Sequence, residues 1–191
     1  VWAGTLRYHN GKFYLFFGAP EEGYFMTSSP SPKGPWKPLT PLLKESGWDD
    51  CTALWDKDGK AYFLGTCFKE GYKTYLFSMS PDGESIDRSS ARLINDGQHR
   101  EANKLIYHDG YYYLIFSEYK SGLGRYVMAK RDKSMSGSFS EERQLLLPCT
   151  AEMEPNQGGI VDAQGKWYFL THHGSGDWSG RIVSLLPVTW I

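Results

Sequence analysis

The sequence lacks an excess of charge, a long apolar run and long stretches without helix-breaking residues. Its 21 basic and 22 acidic residues give a net charge of -1, so no partner of the nucleic-acid class is expected. No uncharged apolar run approaches the roughly 20 residues of a membrane-spanning helix, so no membrane partner is expected either. Glycine and proline occur 21 and 10 times, and the longest interval without either is Glu84–Asp96. Long helices have little room, and an all-β domain is favoured.

Cysteine is scarce, and its spacing carries no metal or disulfide signature. Cys51, Cys67 and Cys149 form no C-x-x-C pair, so neither a zinc site nor a disulfide framework is indicated, although one bridge stays open. The N-terminus carries no recognisable targeting segment. The compartment is therefore unknown, with secreted, periplasmic and cytoplasmic locations all open.

Four segments of the chain share one pattern without gaps. Each has apolar residues, a polar turn that ends in glycine, and then an aromatic-rich run. A polar residue before glycine favours a tight β-hairpin, since the turn needs positive φ. The segments are residues 6–18, 54–66, 105–117 and 160–172, with turn glycines at Gly11, Gly59, Gly110 and Gly165.

Further strands are predicted after each hairpin. The third strands begin at Tyr24, Tyr75 and Tyr126, and fourth strands are expected over residues 37–43, 88–94 and 142–147. Four antiparallel strands in about 50 residues is the period of a β-propeller blade. A β-sandwich is the alternative, but its strands would not keep a glycine-centred hairpin in step four times.

The predicted fold is therefore all-β, a β-propeller whose blades cover approximately residues 1–47, 48–99, 100–153 and 154–191. Three full blades and a fourth that stops at Ile191 do not close a ring of the usual size. We expect a partial propeller of about four blades that lacks at least one blade upstream.

The repeat also predicts a site, because the first strand of each blade lines the central channel. Nine residues before each turn glycine stand Trp2, Asp50, Glu101 and Asn156. Two carboxylates at equivalent strand entrances suit glycosidic bond cleavage, in which one acid protonates the leaving oxygen. Alternatively, Asp50 is a solvated loop acid or a strand-start cap, and Glu101 is a surface ion-pair partner of Arg100.

Other residues near these acids are candidates for sugar binding. Trp48 and Trp55 flank Asp50 and could stack on a pyranose, although a tryptophan in a β-domain also suits the core. Arg181 could donate to sugar hydroxyls, or it could be an exposed arginine without a ligand. The pair of His172 and His173 is a poor metal signal, because alternate side chains of a strand point to opposite faces.

In combination, these motifs resemble glycoside hydrolase family 43, and the likeness runs over essentially the whole chain. The motifs that carry it are Trp48–Tyr62, Glu101–Leu105 before Asp109–Tyr113, Asn156–Val161, Gly180–Arg181 and Pro187–Trp190. The resemblance implies a five-bladed propeller of inverting β-xylosidases, α-L-arabinofuranosidases and arabinanases. It also implies a carbohydrate partner, an oligosaccharide of the xylan or arabinan type.

The resemblance also implies roles for single residues. Asp50 matches the acid that adjusts and orients the general acid, Glu101 matches the general acid itself, and Arg181 matches an arginine near the scissile bond. The general base, an aspartate of the first blade, would precede the Trp2-Ala3 segment and is expected to be absent. The fragment alone is therefore expected to be inactive.

Three departures from the family pattern limit what the resemblance implies. Cys51 stands where a proline usually follows the orienting aspartate, and Cys149 has no assigned role. Gln157 stands where several members have a histidine near the metal-holding channel. We assign Gln157 to substrate binding and expect no metal ligand and no required cofactor, with a structural calcium ion left open. A non-catalytic propeller that binds carbohydrate or protein is the alternative function.

Overall fold

The computed structural model describes residues 1–97, 99–147, 155–174 and 180–191, and the regular structure of these residues is almost entirely β. One short 3₁₀ helix, Phe68–Glu70, lies among fifteen strands. The strands are β1 Thr5–His9, β2 Lys12–Ala19, β3 Gly23–Ser29, β4 Thr40–Leu43, β5 Trp48–Trp55, β6 Ala61–Cys67, β7 Lys73–Met79, β8 Ile86–Asn95, β9 Arg100–His108, β10 Tyr111–Lys120, β11 Gly124–Asp132, β12 Glu141–Leu146, β13 Asn156–Ala163, β14 Lys166–Gly174 and β15 Arg181–Val188. In the described part of the chain no helix is long and apolar enough to cross a membrane.

The strands form four antiparallel sheets in which neighbours in sequence are neighbours in space. The sheets are β1–β4, β5–β8, β9–β12 and β13–β15, and each lies within one of the four blade ranges expected from the repeat. The chain divides into two compact units, which we call unit 1 (Val1–Gly97) and unit 2 (Gln98–Ile191). Unit 1 holds the first two sheets and unit 2 holds the last two.

The hairpin turns explain why the repeat is centred on glycine. Asn10 and Gly11 both adopt positive φ, 46° and 77°, and the turns of the third and fourth repeats contain the same pair of left-handed residues. Such turns match the right-handed twist of the flanking strands. The turn that contains Gly59 is longer, because the Asp56 N–H closes it on the Lys60 carbonyl at 2.8 Å.

The core of unit 1 forms where its two sheets pack together. Phe16 of β2 lies 5.9 Å from Phe63 of β6 between ring centres, and Phe77 of β7 follows at 6.4 Å. These three side chains are fully buried. The alternating pattern of aromatic residues in β2, β6 and β7 therefore places one face of each strand in this core.

Unit 2 has a separate core between its own two sheets. Ile115 of β10 and Val127 of β11 are buried together with Phe169 of β14, and Ile160 and Leu186 pack against them. A mainly apolar cavity of about 400 Å³ lies beside this cluster, between β11–β12 and the last strand. Its lining includes none of the site residues predicted from the sequence.

Cys51 and Cys67 are buried and carry free thiols, so they do not form the bridge that the sequence left open. Cys51 belongs to β5 and Cys67 ends β6. Their side chains pack in the core of unit 1, where a small apolar thiol is well accommodated. Cys149 lies outside the described residues.

Candidate active site

Asp50 lies in unit 1, where β5 departs from regular pairing with β6. Trp48 pairs with Cys67 and Cys51 with Gly65, so one extra residue bulges from β5 at Asp49 and Asp50. Bulges of this kind turn side chains away from the regular pleat and are common beside active sites. Asp50 is only 1% exposed. Its interpretation as a solvated loop acid is therefore wrong.

Two hydroxyl groups hold the backbone at the C-terminal end of this bulge. The Tyr24 hydroxyl donates to the Asp50 carbonyl at 3.3 Å, and the Thr5 hydroxyl donates to the Cys51 carbonyl at 2.8 Å. Burial raises the pKa of Tyr24 well above its usual value, and the nearby Cys51, Asp50 and Asp49 raise it further. The Tyr24 hydroxyl is therefore protonated at neutral pH and can act as a donor.

Glu101 lies in unit 2 as the second residue of β9, and its carboxylate forms an ion pair with Arg125. The Arg125 Nε donates to Glu101 Oε1 at 3.0 Å. The side chains are 19% exposed for Glu101 and 30% for Arg125, so the pair is partly shielded from solvent. Arg125 was not among the residues predicted from the sequence, because 24 positions separate it from Glu101 and no motif connects them.

Arg100, the expected surface partner of Glu101, points elsewhere. Its guanidinium group contacts Glu118 at 2.6 Å and donates two hydrogen bonds to Glu142 at 2.9 and 3.0 Å. Arg100 and Glu101 are adjacent in a strand, so their side chains leave opposite faces. The alternative in which Glu101 only balances Arg100 is therefore wrong.

The backbone at the entrance of β9 is repeated at the entrance of β13. Glu101 pairs with Ser117 before a bulge, and Asn156 pairs with His172 before an equivalent bulge. The next residue is left-handed in both strands, with φ of 64° at Ala102 and 58° at Gln157. A non-glycine residue in this region carries about 1–3 kcal/mol of strain. The two positions aligned by counting from glycine thus share one strained backbone.

Gln157 connects the two sheets of unit 2 at this end. Its N–H donates to the Ser117 hydroxyl at 3.2 Å, and its carbonyl accepts from the Thr171 hydroxyl at 2.9 Å. Ser117 is the residue that pairs with Glu101. The start of β13 is therefore tied to the strand beside the Glu101 carboxylate.

Arg181 begins β15 and lies near the same end of unit 2. The pKa of His172 is lowered first by burial and then by the positive charges of Arg181, Arg125 and His173. His173 itself contacts Ser184 of β15 through Nδ1 at 3.1 Å. The charges of Arg181 and of Arg125, the partner of Glu101, thus both lower the pKa of His172. The sequence did not indicate this arrangement.

The two tryptophans expected to flank Asp50 do not form a sugar-binding wall. Trp48 is 2% exposed and packs in the core of unit 1, 5.7 Å from the rings of both Tyr24 and Phe77. A fully packed indole offers no face to a sugar, so the stacking role of Trp48 is wrong.

Trp55 lies at the opposite end of β5 from Asp50. Trp55 is five positions after Asp50, a distance of about 16 Å along an extended strand. Its ring stacks on His9 at 4.5 Å, and its Nε1 donates to the Pro81 carbonyl at 2.8 Å. The sequence suggested proximity because both tryptophans lie near Asp50 in the chain, but strand geometry separates Trp55 from the carboxylate.

Comparison with known proteins places these residues in a family. Over 190 residues the chain is 33% identical to a putative β-xylosidase of Xylanibacter ruminicola, covering 99% of this chain and 36% of that protein. A bifunctional GH43-CE protein of Bacteroides eggerthii superposes with a TM-score of 0.83 at 28% identity, covering 100% of this chain and 24% of the other. An α-L-arabinofuranosidase of Clostridium thermocellum gives a TM-score of 0.76 at 26% identity, covering 90% and 61%.

These similarities confirm the expected all-β propeller fold. The chain spans about a third of the length of the xylosidase that it resembles. A family model extends over every position of the sequence, residues 1–191, and it is that of glycosyl hydrolases family 43. The chain belongs to this family.

Proposed function

We propose that this chain forms part of the active site of an inverting glycoside hydrolase. The proposed substrates are plant oligosaccharides or polysaccharides of the xylan or arabinan type, and the activity is that of a β-xylosidase or an α-L-arabinofuranosidase. The relatives named β-xylosidase and α-L-arabinofuranosidase support this range of substrates. The observation that carries the proposal is that each of the two acids lies at a bulge near the start of a blade's first strand: Asp50 is within the bulge of β5, and Glu101 is the last paired residue before the bulge of β9.

In the proposed reaction, Glu101 is the general acid. It transfers its proton to the glycosidic oxygen as the bond to the anomeric carbon breaks, and water attacks that carbon from the opposite face. Asp50 adjusts and orients this acid, while Arg181 contacts the sugar near the scissile bond. We assign the general base to no residue of this chain.

We propose no cofactor and derive no step through a calcium ion. Calcium needs six to eight oxygen ligands, usually with carboxylates among them. In unit 2 the Glu101 carboxylate is already engaged by Arg125, and the positive charge of Arg181 also reaches His172. A calcium ion in unit 2 would therefore have to share Glu101, the one carboxylate among the predicted site residues of that unit, with Arg125.

The role of Glu101 can be tested by leaving-group dependence in the complete protein that carries this sequence. A general acid contributes about 10²–10⁴-fold to the rate, and its proton matters only when the leaving oxygen is basic. Glu101→Ala should therefore lose about this factor on an alkyl pentoside or a natural oligosaccharide. The same variant should largely retain activity on a dinitrophenyl pentoside.

A matched control is Glu141→Ala. Glu141 is a carboxylate of unit 2 that is paired with Arg131 on the surface, so its loss should leave both substrate classes unaffected. Equal loss by folded Glu101→Ala on activated and unactivated substrates would refute the assignment. Comparison of xyloside and arabinofuranoside substrates on the same protein separates the two activities.

A further inference from the structure

Arg125 contacts the two oxygens of the Glu101 carboxyl group unequally. Arg125 donates through Nε to Oε1 at 3.0 Å. A guanidinium group is permanently protonated and cannot accept a hydrogen bond. Its positive charge beside Oε1 disfavours a proton on that oxygen, so the proton of a neutral Glu101 carboxyl group is favoured on Oε2.

We infer that Arg125 is a positioning residue that fixes the Glu101 carboxyl group and confines its acidic proton to Oε2. The inference rests on the proposed role of Glu101 as general acid. Arg125 itself acts on the reaction only through Glu101.

The position of Arg125 relative to Glu101 is set by β10 and β11, the two strands next to β9 in the sheet. Arg125 is the second residue of β11 and pairs with Tyr119 of β10, whose ring centre lies 5.7 Å from the guanidinium carbon. Glu101 pairs with Ser117 two residues earlier in β10. The central strand β10 thus fixes the distance between the two charged side chains, and the aromatic face favours the cation there.

This arrangement assists a proton transfer in one direction. As Oε2 gives its proton to the glycosidic oxygen, the electrons of the breaking C–O bond move to that oxygen and the Glu101 carboxyl group becomes a carboxylate. The hydrogen bond from Arg125 strengthens as this charge develops, because bonds between ionised groups are stronger than bonds to neutral groups. A proton from water restores the acid before the next cycle.

The test measures kcat and KM of Arg125→Met in the complete protein with the two substrate classes used for Glu101. A misplaced catalytic group can cost about a hundredfold in rate. We expect kcat to fall by about this factor on the alkyl pentoside, with KM little changed and the dinitrophenyl pentoside largely unaffected. Arg131→Met is the matched control, because Arg131 also lies on β11 and pairs with a glutamate, Glu141.

Equal loss on both substrate classes by folded Arg125→Met would overturn the inference, since it would indicate only a structural role. A raised KM on both classes with unchanged kcat would also overturn it, since it would indicate direct contact with the sugar. If Arg125→Met does not fold, Arg125→Gln gives the same comparison with a shorter polar side chain. Selective loss in Glu101→Ala together with uniform loss in Arg125→Met would refute only the inference, whereas uniform loss in Glu101→Ala would refute the proposed function.

Discussion

Gly65 is the position at which a single methyl group should disturb the support of Asp50. A Cβ built on Gly65 would lie 2.6 Å from both Cε2 and the hydroxyl oxygen of Tyr24. Tyr24 is fully buried, and its hydroxyl donates to the Asp50 carbonyl. The ring therefore has no open space to move into, and Gly65→Ala must displace it or the strand.

The size of the effect follows from this overlap. Overpacking of a well-packed core typically costs about 1–3 kcal/mol of unfolding free energy. For a chain of this length, each kcal/mol lowers the melting temperature by about 2–4 °C. We expect Gly65→Ala to lower the melting temperature by about 2–12 °C, as measured by calorimetry or circular dichroism and supported by urea unfolding.

Gly159→Ala is the matched control for Gly65→Ala. Gly159 is also a strand glycine, but among the described residues its added Cβ would meet only the Lys104 side chain, at 3.7 Å. Its substitution should change the stability little or raise it slightly, because alanine restricts the unfolded chain more than glycine. If Gly65→Ala were no more destabilising than Gly159→Ala, the packing of Tyr24 against Gly65 would not be what supports the bulge.

Two further predictions concern polar groups that are wholly or partly buried. Thr52→Val keeps the shape of a fully buried residue but removes the oxygen that accepts a hydrogen bond from an Arg7 guanidinium nitrogen at 2.7 Å. Burial already lowers the pKa of Arg7 to about 10, so urea unfolding should show that the free energy of unfolding falls by about 1.5–3 kcal/mol. An unchanged unfolding midpoint would contradict this role of Thr52. The pKa of folded His172 lies below its usual 6.5, so the unfolded state binds more protons as the pH falls below about 6.5 and stability should decline there. His172→Gln should remove this contribution, NMR titration of Arg181→Met should show the His172 pKa move upward, and a pKa unchanged in that variant would contradict the proximity of the two residues.

The repeat was readable from the sequence because its signals are local. Positive φ at a hairpin demands glycine or a residue such as Asn10, and alternating aromatic residues mark a strand with one buried face. Counting from the turn glycines then pointed to Asp50 and Glu101 near the starts of β5 and β9. These inferences need no knowledge of how distant parts of the chain pack.

The errors and omissions depend on long-range packing. Trp48 and Trp55 lie near Asp50 in sequence, but the pleat and rise of β5 send one to the core and the other to the far end. Arg125 could not be identified as the partner of Glu101, because its contact depends on the register of three strands. Arg100 was the obvious candidate only because it is adjacent in the chain.

β9 and β13 begin with the same bulge, so the backbone conformation at these two positions does not depend on which side chain is present. Ala102 and Gln157 are different residues in the same left-handed conformation, each following the entrance residue of its strand. The starts of β9 and β13 therefore have the same backbone conformation, and they differ in the chemistry of the side chains that they carry. A change of Asn156 to an acidic residue would place a carboxylate on a backbone that already has this conformation. The fold can therefore acquire a different chemistry at this position without a change of backbone.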